Sequence, residues 1–453
     1  MTEKIYLVSL GCDKNLVDSE IMLGLLSKEG YTITNELNEA DYAIVNSCCF
    51  IGDAKEESIN TIIEIGELKK EGKLKGLIVT GCLAQRYQSM ITDELPEADA
   101  VIGTTAYDNI VSAIAEIKSK NGLADKSLYI EDLERLAGGE EHRLVPAGEI
   151  SSYIKIAEGC NKRCTYCIIP YIRGNYRSIP METIVKEAEE LAKQGTKELL
   201  LVAQETTLYG VDIYGKKALP ELVHELSKIS GIEWIRLLYC YPEEITDEII
   251  EAIKNEKKVC HYIDLPIQHS SDAILRKMAR KTNQAELRER IAKLRKEIPD
   301  ITLRTTLITG FPGETEEDFK ELYSYKNGSK YFSILPSTIH DVEMSFSLMS
   351  LEQMEKTKQY FQNRDALLTE FPDFFTEEDI EKMRDSRIKP YLFHKQWIPF
   401  AEYCDSCFLM LDFDPDKEGR EGQILCYIHD PDEVIYAAAG LSEFVDEIIQ
   451  TID

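Results

Sequence analysis

Short β-branched runs alternate with stretches of helical period from the start of the chain: KIYLVSL, a helix expected from about Ser19 to Glu29, YAIVNS, a helix from about Ala54 to Lys70, and GLIVTG. Strands that alternate with helices in this way predict a parallel sheet covered by helices. Each of the three strands runs into a cysteine, Cys12, Cys48 or Cys82, at the carboxyl edge where open parallel sheets gather their ligands. A single buried thiol is ordinary core filling; three in the same topological position argue for a shared role. A second series follows, YIKIA, ELLLVAQ, WIRLLYCY, YIDLPIQ and ITLRTTLITG, with helices over Met181–Gln194 and Gln284–Lys296. That rhythm predicts a β/α barrel or part of one, with its working face again at the strand ends. After Phe319 it stops. YSYKNGSKYFSILPST, an acidic helix near Thr376–Arg384, and the strands FLMLDFD and GQILCYI around DPDKEGREG read as a small α+β module. The expected organisation is therefore α/β: an N-terminal parallel domain over 1–130, a linker over 131–148, a partial β/α barrel over 149–322 and the α+β module over 323–453.

Charge narrows the partners. The chain holds 52 Lys and Arg against 81 Asp and Glu, a net charge of −29, so its field repels phosphate backbones and nucleic acid is not the default partner. Tyr323–Asp453 alone carries 12 basic and 26 acidic residues, about half of the deficit. No apolar run approaches membrane length and the N-terminus has no export signal, so the expected location is the cytoplasm with no membrane partner. Thiols stay reduced there, which makes metal or redox chemistry the better use for twelve cysteines than disulfides.

The sharpest motif is Cys160-x-x-x-Cys164-x-x-Cys167, set in KIAEGCNKRCTYCIIPYIRG. Three thiolates on one loop can hold an iron–sulfur cluster and leave one iron open to an external ligand. A structural zinc site would need a fourth ligand, and none lies nearby in sequence. With Tyr166 just before the last cysteine, the motif resembles the radical S-adenosylmethionine superfamily. The resemblance implies a [4Fe–4S] cluster whose free iron chelates S-adenosylmethionine, reductive cleavage to a 5′-deoxyadenosyl radical, and abstraction of hydrogen from unactivated carbon. It places Tyr166 near the adenine. Gln204 and Glu205 stand at the end of ELLLVAQ, where they could face the bound cofactor or serve structure alone.

SLGCDKNLVDSE, VNSCCFI and TGCLAQRY around the early cysteines resemble the methylthiotransferases, in which this domain holds a second [4Fe–4S] cluster used for sulfur insertion. The wording SLGC-x-KNLVDSE and CIIP-x-x-RG is similar to the RimO type, whose substrate is an aspartate of the twelfth small-subunit ribosomal protein; tRNA-modifying relatives read more like YGCQMN. QETTLYGVD, LPIQHSSDAILRKMAR and ITGFPGETEEDF extend the likeness over residues 1 to about 320. It implies Cys12, Cys48 and Cys82 as ligands of the second cluster, two S-adenosylmethionine molecules per turnover, the ribosomal protein or the small ribosomal subunit as partner, and an electron-donor protein. Cys49 departs from the small residue usual after the middle ligand. Register with CFI assigns Cys48 as the ligand and Cys49 as a buried bystander.

Weaker candidates surround these motifs. Gln268 and His269 stand at a strand end where they could meet substrate or cofactor, or serve structure alone. Lys14, Asn15 and Asp18 could contact the cluster region, although Asp18 and Ser19 equally suit a helix N-cap. Arg173 and Arg177 could hold a carboxylate or form surface ion pairs. Gly310, Phe311, Pro312 and Gly313 read as a turn.

Beyond Glu321 the likeness changes. The sixth barrel strand and the small TRAM β-barrel of the RimO type are not recognisable, and Trp397–Ile449 instead resembles SUKH-superfamily domains, which are mostly protein-interaction modules, many of them immunity proteins. The junction near Leu322 joins two modules, each lacking a part, as a gene fusion or a frameshifted gene would. Tyr331–Leu335 is a candidate substitute strand for the barrel. Cys404 and Cys407 read as strand thiols, and Asp412, Asp414, Asp416 and Glu418 as a solvated hairpin. The reading the sequence favours is a methylthiotransferase acting on a ribosomal protein. The alternatives are a tRNA methylthiotransferase and an inactive enzyme remnant carrying a SUKH-type interaction or immunity module.

Overall fold

The computed structural model describes residues 2–444 except 121–125, 139–142, 147, 316, 319–334, 340–341, 362–364, 373, 404–405, 430–432 and 442. It divides into two compact units, Met1–Glu314 and Thr315–Asp453.

The first unit opens with a six-stranded parallel sheet. Its strands are β1 (Lys4–Ser9), β2 (Thr32–Ile33), β3 (Tyr42–Ser47), β4 (Gly76–Gly81), β5 (Ala100–Ile102) and β6 (Ser127–Tyr129), in the order β2-β1-β3-β4-β5-β6. β3 and β4 are buried at every position, as near-continuous apolar strands covered on both faces must be. Helix α1 (Asp13–Lys28) starts six residues before the expected boundary. Asp18 and Ser19 are therefore not an N-cap: both sit inside the helix and are buried. The first turn of α1 is polar yet enclosed, so hydropathy alone mistakes it for loop.

The second sheet of this unit is parallel and five-stranded, with β7 (Ser151–Lys155), β10 (Glu198–Val202), β11 (Trp234–Leu237), β12 (Val259–Asp264) and β13 (Thr302–Arg304) in sequential order. A short antiparallel pair, β8 (Ala157–Glu158) and β9 (Arg177–Ser178), closes the loop between β7 and the helix Met181–Gln194. This is the partial β/α barrel expected. Its core packs Ile154, Leu199, Leu201, Ile235 and Ile263 against Ile184, Leu191, Leu222 and Ile250 of the surrounding helices. Tyr153 of β7 packs into the core formed by β1, β3 and α1.

The second unit is an antiparallel sheet in the order β14-β15-β18-β19-β20-β21, built from Leu335–Ile339, Val342–Leu348, Trp397–Tyr403, Cys407–Asp412, Gln423–Ile428 and Glu433–Ala438, with a small hairpin of β16 (Ala366–Leu367) and β17 (Tyr391–Phe393). Tyr331–Ile334 lie outside the described residues. Leu335 pairs with Phe346 in this antiparallel sheet, so it does not replace a barrel strand. Cys407 is buried on β19; Cys404 is outside the described residues. Asp412 is not solvated as expected but fully buried, its carboxylate accepting from Gln423 Nε2 at 2.8 Å. Among the described residues no helix is long and apolar enough to cross a membrane.

Candidate functional site

Cys12, Cys48 and Cys82 each leave the carboxyl edge of a neighbouring strand of the first sheet. Cys12 caps α1 and is exposed, whereas Cys48 and Cys82 are buried. The Cys48 amide donates to Ser58 Oγ at 2.9 Å, and Cys82 begins the short helix Cys82–Tyr87. Gly11 lies between Ser9 and Cys12 at φ +90°, where a Cβ would stand 2.6 Å from Cys48 Cβ and 2.7 Å from its Sγ. Only glycine lets this turn pass so close. Gly11→Ala is expected to lower iron uptake at these cysteines, read as iron per chain after anaerobic reconstitution, while the far-UV spectrum is unchanged. Burial raises the Cys48 thiol and pushes Cys82 up to about 12, and the neighbouring thiols raise both further. Cys49 is buried in the apolar core with Ile62 and Leu77, its thiol donating to the Cys82 carbonyl at 3.3 Å.

Cys160, Cys164 and Cys167 share the loop that follows β8. The Cys160 amide donates to the Gly174 carbonyl at 3.1 Å, the Cys167 amide to the Cys164 carbonyl at 3.0 Å, and the Thr165 amide to the Met278 carbonyl at 3.1 Å. Burial pushes the Cys160 thiol up to about 11, with Glu205 and the other two cysteines adding to the rise. Cys164 Sγ lies 3.9 Å from the Tyr241 hydroxyl, and the Arg280 guanidinium stands over the Tyr241 ring at 4.2 Å. Among the described residues no three His, Cys, Asp or Glu side chains converge tightly enough for a single ion. A cluster spreads its thiolates over separate irons and asks for a wider arrangement.

The loop, the strand ends and Arg280 carry polar atoms that are buried and make no hydrogen bond among the described residues: the Tyr166 hydroxyl, Gln204 Oε1, Glu205 Oε2, His269 Nε2, the Ser270 hydroxyl and Arg280 Nε. Such orphans cost free energy unless a polar ligand meets them. Gln204 Nε2 donates to Glu158 Oε1 at 2.8 Å. Glu205 is fully enclosed; burial raises its carboxyl to about 8 against the opposing pull of the Thr207 hydrogen bonds and of Lys162, 3.9 Å away. His269 Nδ1 accepts from the Ser271 amide at 3.0 Å, which leaves the proton on Nε2, 3.4 Å from Glu314 Oε1. Gln268 adopts φ +69° and bridges to Leu307.

Lys14, Asn15 and Asp18 of α1 are buried, as is Arg173, which lies far from them in sequence. Lys14 pairs with Asp13 and stands 3.4 Å from the Tyr239 ring, while Arg173 donates to Asn15 and Asp18. Arg177 is buried, donates to the Arg173 carbonyl at 3.1 Å and makes no ion pair among the described residues. Tyr239, Tyr241, Arg280, Lys155 and Glu158 were not singled out by the sequence. Their only signal is position, since each of them except Arg280 lies on a barrel strand or within four residues of one.

Residues 154–325 match the radical SAM superfamily, residues 4–103 match the uncharacterized protein family UPF0004, and residues 316–447 match the SMI1/KNR4 family (SUKH-1). Among solved structures the fold is similar to the radical S-adenosylmethionine methyltransferase TsrM from Kitasatospora setae, with a TM-score of 0.51 and 13% identity over 72% of this chain and 71% of that one. It is also similar to the S-adenosylmethionine radical enzyme OxsB, with a TM-score of 0.52 and 13% identity over 84% of this chain and 56% of that one. Fold and superfamily match together define the class, a radical S-adenosylmethionine protein, which implies a [4Fe–4S] cluster and S-adenosylmethionine. Among curated proteins, the ribosomal protein uS12 methylthiotransferase RimO of Lachnoclostridium phytofermentans is 60% identical over 322 residues, 71% of this chain and 72% of that one. Its counterpart in Clostridium acetobutylicum is 52% identical over 322 residues, 71% of each chain. The chain belongs to the RimO family of radical SAM methylthiotransferases, with a SUKH-1 domain following the enzyme portion.

Proposed function

We propose that this chain adds a methylthio group to the β-carbon of an aspartate in ribosomal protein uS12, in the cytoplasm and with electrons from a donor protein. Cys160, Cys164 and Cys167 would hold the cluster that binds S-adenosylmethionine, and Cys12, Cys48 and Cys82 a second [4Fe–4S] cluster. When bound, the cofactors supply one-electron cleavage of the sulfonium, a radical able to take hydrogen from carbon, and a site for sulfur. The observation that carries the reading is the ring of orphaned buried polar atoms beside the Cys160–Cys167 loop, which suits a ligand with amine, carboxylate and ribose groups. Tyr166 offers an aromatic face and a hydroxyl. Glu205 and Gln204 offer acceptors, Glu205 as a carboxyl whose raised pKa lets it carry a proton near neutrality. These polar atoms are buried away from water.

The acidic character of the chain suits a partner with a basic surface, as ribosomal proteins have. The test is anaerobic reconstitution followed by incubation with small ribosomal subunits, S-adenosylmethionine and a reductant. About eight irons per chain are expected, together with a gain on uS12 equal to one methylthio group in place of one hydrogen. Unchanged uS12 with both clusters loaded would refute the substrate. Modified tRNA in a parallel reaction would move the chain to the other methylthiotransferase class.

A further inference from the structure

Arg173 lies six residues after Cys167 and is one of the largest fully enclosed side chains of the protein. Its backbone is docked on the first sheet: Ile172 packs with Val45, Val79 and Leu83, and Thr104 Oγ1 donates to the Ile172 carbonyl at 2.7 Å. The guanidinium donates through Nη2 to Asn15 Oδ1 at 2.5 Å and Asp18 Oδ2 at 3.1 Å, and through Nη1 to Glu158 Oε2 at 2.9 Å. Asn15 Oδ1 in turn faces Cys82 Sγ at 3.8 Å, while its amide donates to the Leu10 and Ser47 carbonyls, just before Cys12 and Cys48. Lys155 Nζ completes the group by pairing with Asp18 and Glu158.

Two cations and two carboxylates are thus buried together, joined through Asn15 to Cys82 and including Glu158, two residues before Cys160. Burying each ion costs several kcal/mol, and an apolar quartet would join the two sheets more cheaply. What apolar residues cannot supply is a permanent charge: a guanidinium stays protonated in any protein setting. A fixed positive charge favours the reduced, more negative state of a nearby cluster, since net charge and hydrogen bonding around the ligands set cluster potentials.

We propose that Arg173 is a positioning residue which, from the loop of the first triad, raises the reduction potential of the cluster held by Cys12, Cys48 and Cys82. The inference rests on the two-cluster reading above. Arg173 ties the two sites into one electrostatic unit, and Asp18 partly offsets its charge.

The experiment uses the full chain with Cys160, Cys164 and Cys167 replaced by alanine, so that iron enters only the other site, and follows that cluster by EPR during dithionite titration. Arg173→Gln is expected to lower the midpoint potential by at least a tenfold shift in the one-electron equilibrium, about 59 mV. Asp18→Asn is expected to raise it, and Arg173→Lys to stay near the parent. Opposite signs are the discriminating result, because loosened packing would move both neutral variants the same way. Shifts of one sign, or none, would overturn the proposal. If Arg173→Gln does not fold, Asp18→Asn and Arg173→Lys still decide it: a rise with the first and parental behaviour with the second support it, and any other pair refutes it. A parent that takes up no iron would instead refute the two-cluster reading, and the inference with it.

Discussion

Replacing Cys12, Cys48 and Cys82 together by alanine is expected to leave about half of the wild-type iron, continued release of 5′-deoxyadenosine from S-adenosylmethionine, and no methylthio transfer to uS12. Replacing Cys160, Cys164 and Cys167 is expected to leave about half of the iron as well, but neither 5′-deoxyadenosine nor product. The asymmetry follows from placement. Only the second set of cysteines sits beside the orphaned polar atoms of the barrel, whereas the first set ends the strands of the other sheet. Proton linkage gives an independent handle on both. Cys82 is raised to about 12 and Cys160 to about 11 by burial, so in the apoprotein at neutral pH these two side chains are thiols, not thiolates. Ligation requires thiolates, so each loading event releases protons, and iron uptake is expected to be faster at pH 8.5 than at pH 6.5. Equal rates at the two values, with no proton release into a weakly buffered solution, would count against ligation by these thiols.

The central strands β3 and β4 could be read from hydropathy because they are buried on two faces and have no exposed position to interrupt the apolar run. The placement of Cys12, Cys48 and Cys82 after neighbouring strands was legible for a related reason, since the end of a parallel strand is where segments distant in sequence come together. Helix α1 was misread where its first turns hold Asp13, Lys14, Asn15 and Asp18. Those residues are polar because they face Arg173, Lys155 and Tyr239 of the barrel half, partners from 137 to 226 positions away that no local pattern announces. Asp412 was misread in the same way: a carboxylate between acidic neighbours looks solvated until Gln423, eleven residues on, folds back to donate to it. Tyr239 and Tyr241 follow an ordinary apolar run, and nothing in it foretells that Tyr239 adopts φ +55° beside Asp13 or that Tyr241 faces Cys164. Periodicity reports which face of an element is dry. It does not report which polar groups have been taken into the dry side.

Glu205→Gln in the apoprotein is expected to stabilise the barrel at alkaline pH and to leave it nearly unchanged at pH 4.5. Burial raises the Glu205 carboxyl from 4.5 to about 8 in the folded chain. Below pH 4.5 the folded and unfolded chains both hold the proton, and the carboxyl contributes no pH dependence. Between the two values the folded chain keeps a proton that the unfolded chain has released, so stability falls as pH rises, and above about 8 the loss is complete. A shift of this size corresponds to a loss of about 5 kcal/mol. Glutamine keeps an oxygen where Glu205 Oε1 accepts from the Thr207 amide at 3.0 Å, and puts a neutral amide where Oε2 accepts no hydrogen bond among the described residues. It therefore lacks the ionisation that produces the loss. Hydrogen exchange of the β10 amides, Glu198–Val202, is expected to slow relative to wild type at pH 9, after correction for the intrinsic rate, and to match it near pH 4.5. A difference that stayed constant across that range would mean that Glu205 is already ionised in the folded chain, with Lys162 and not a proton as its partner.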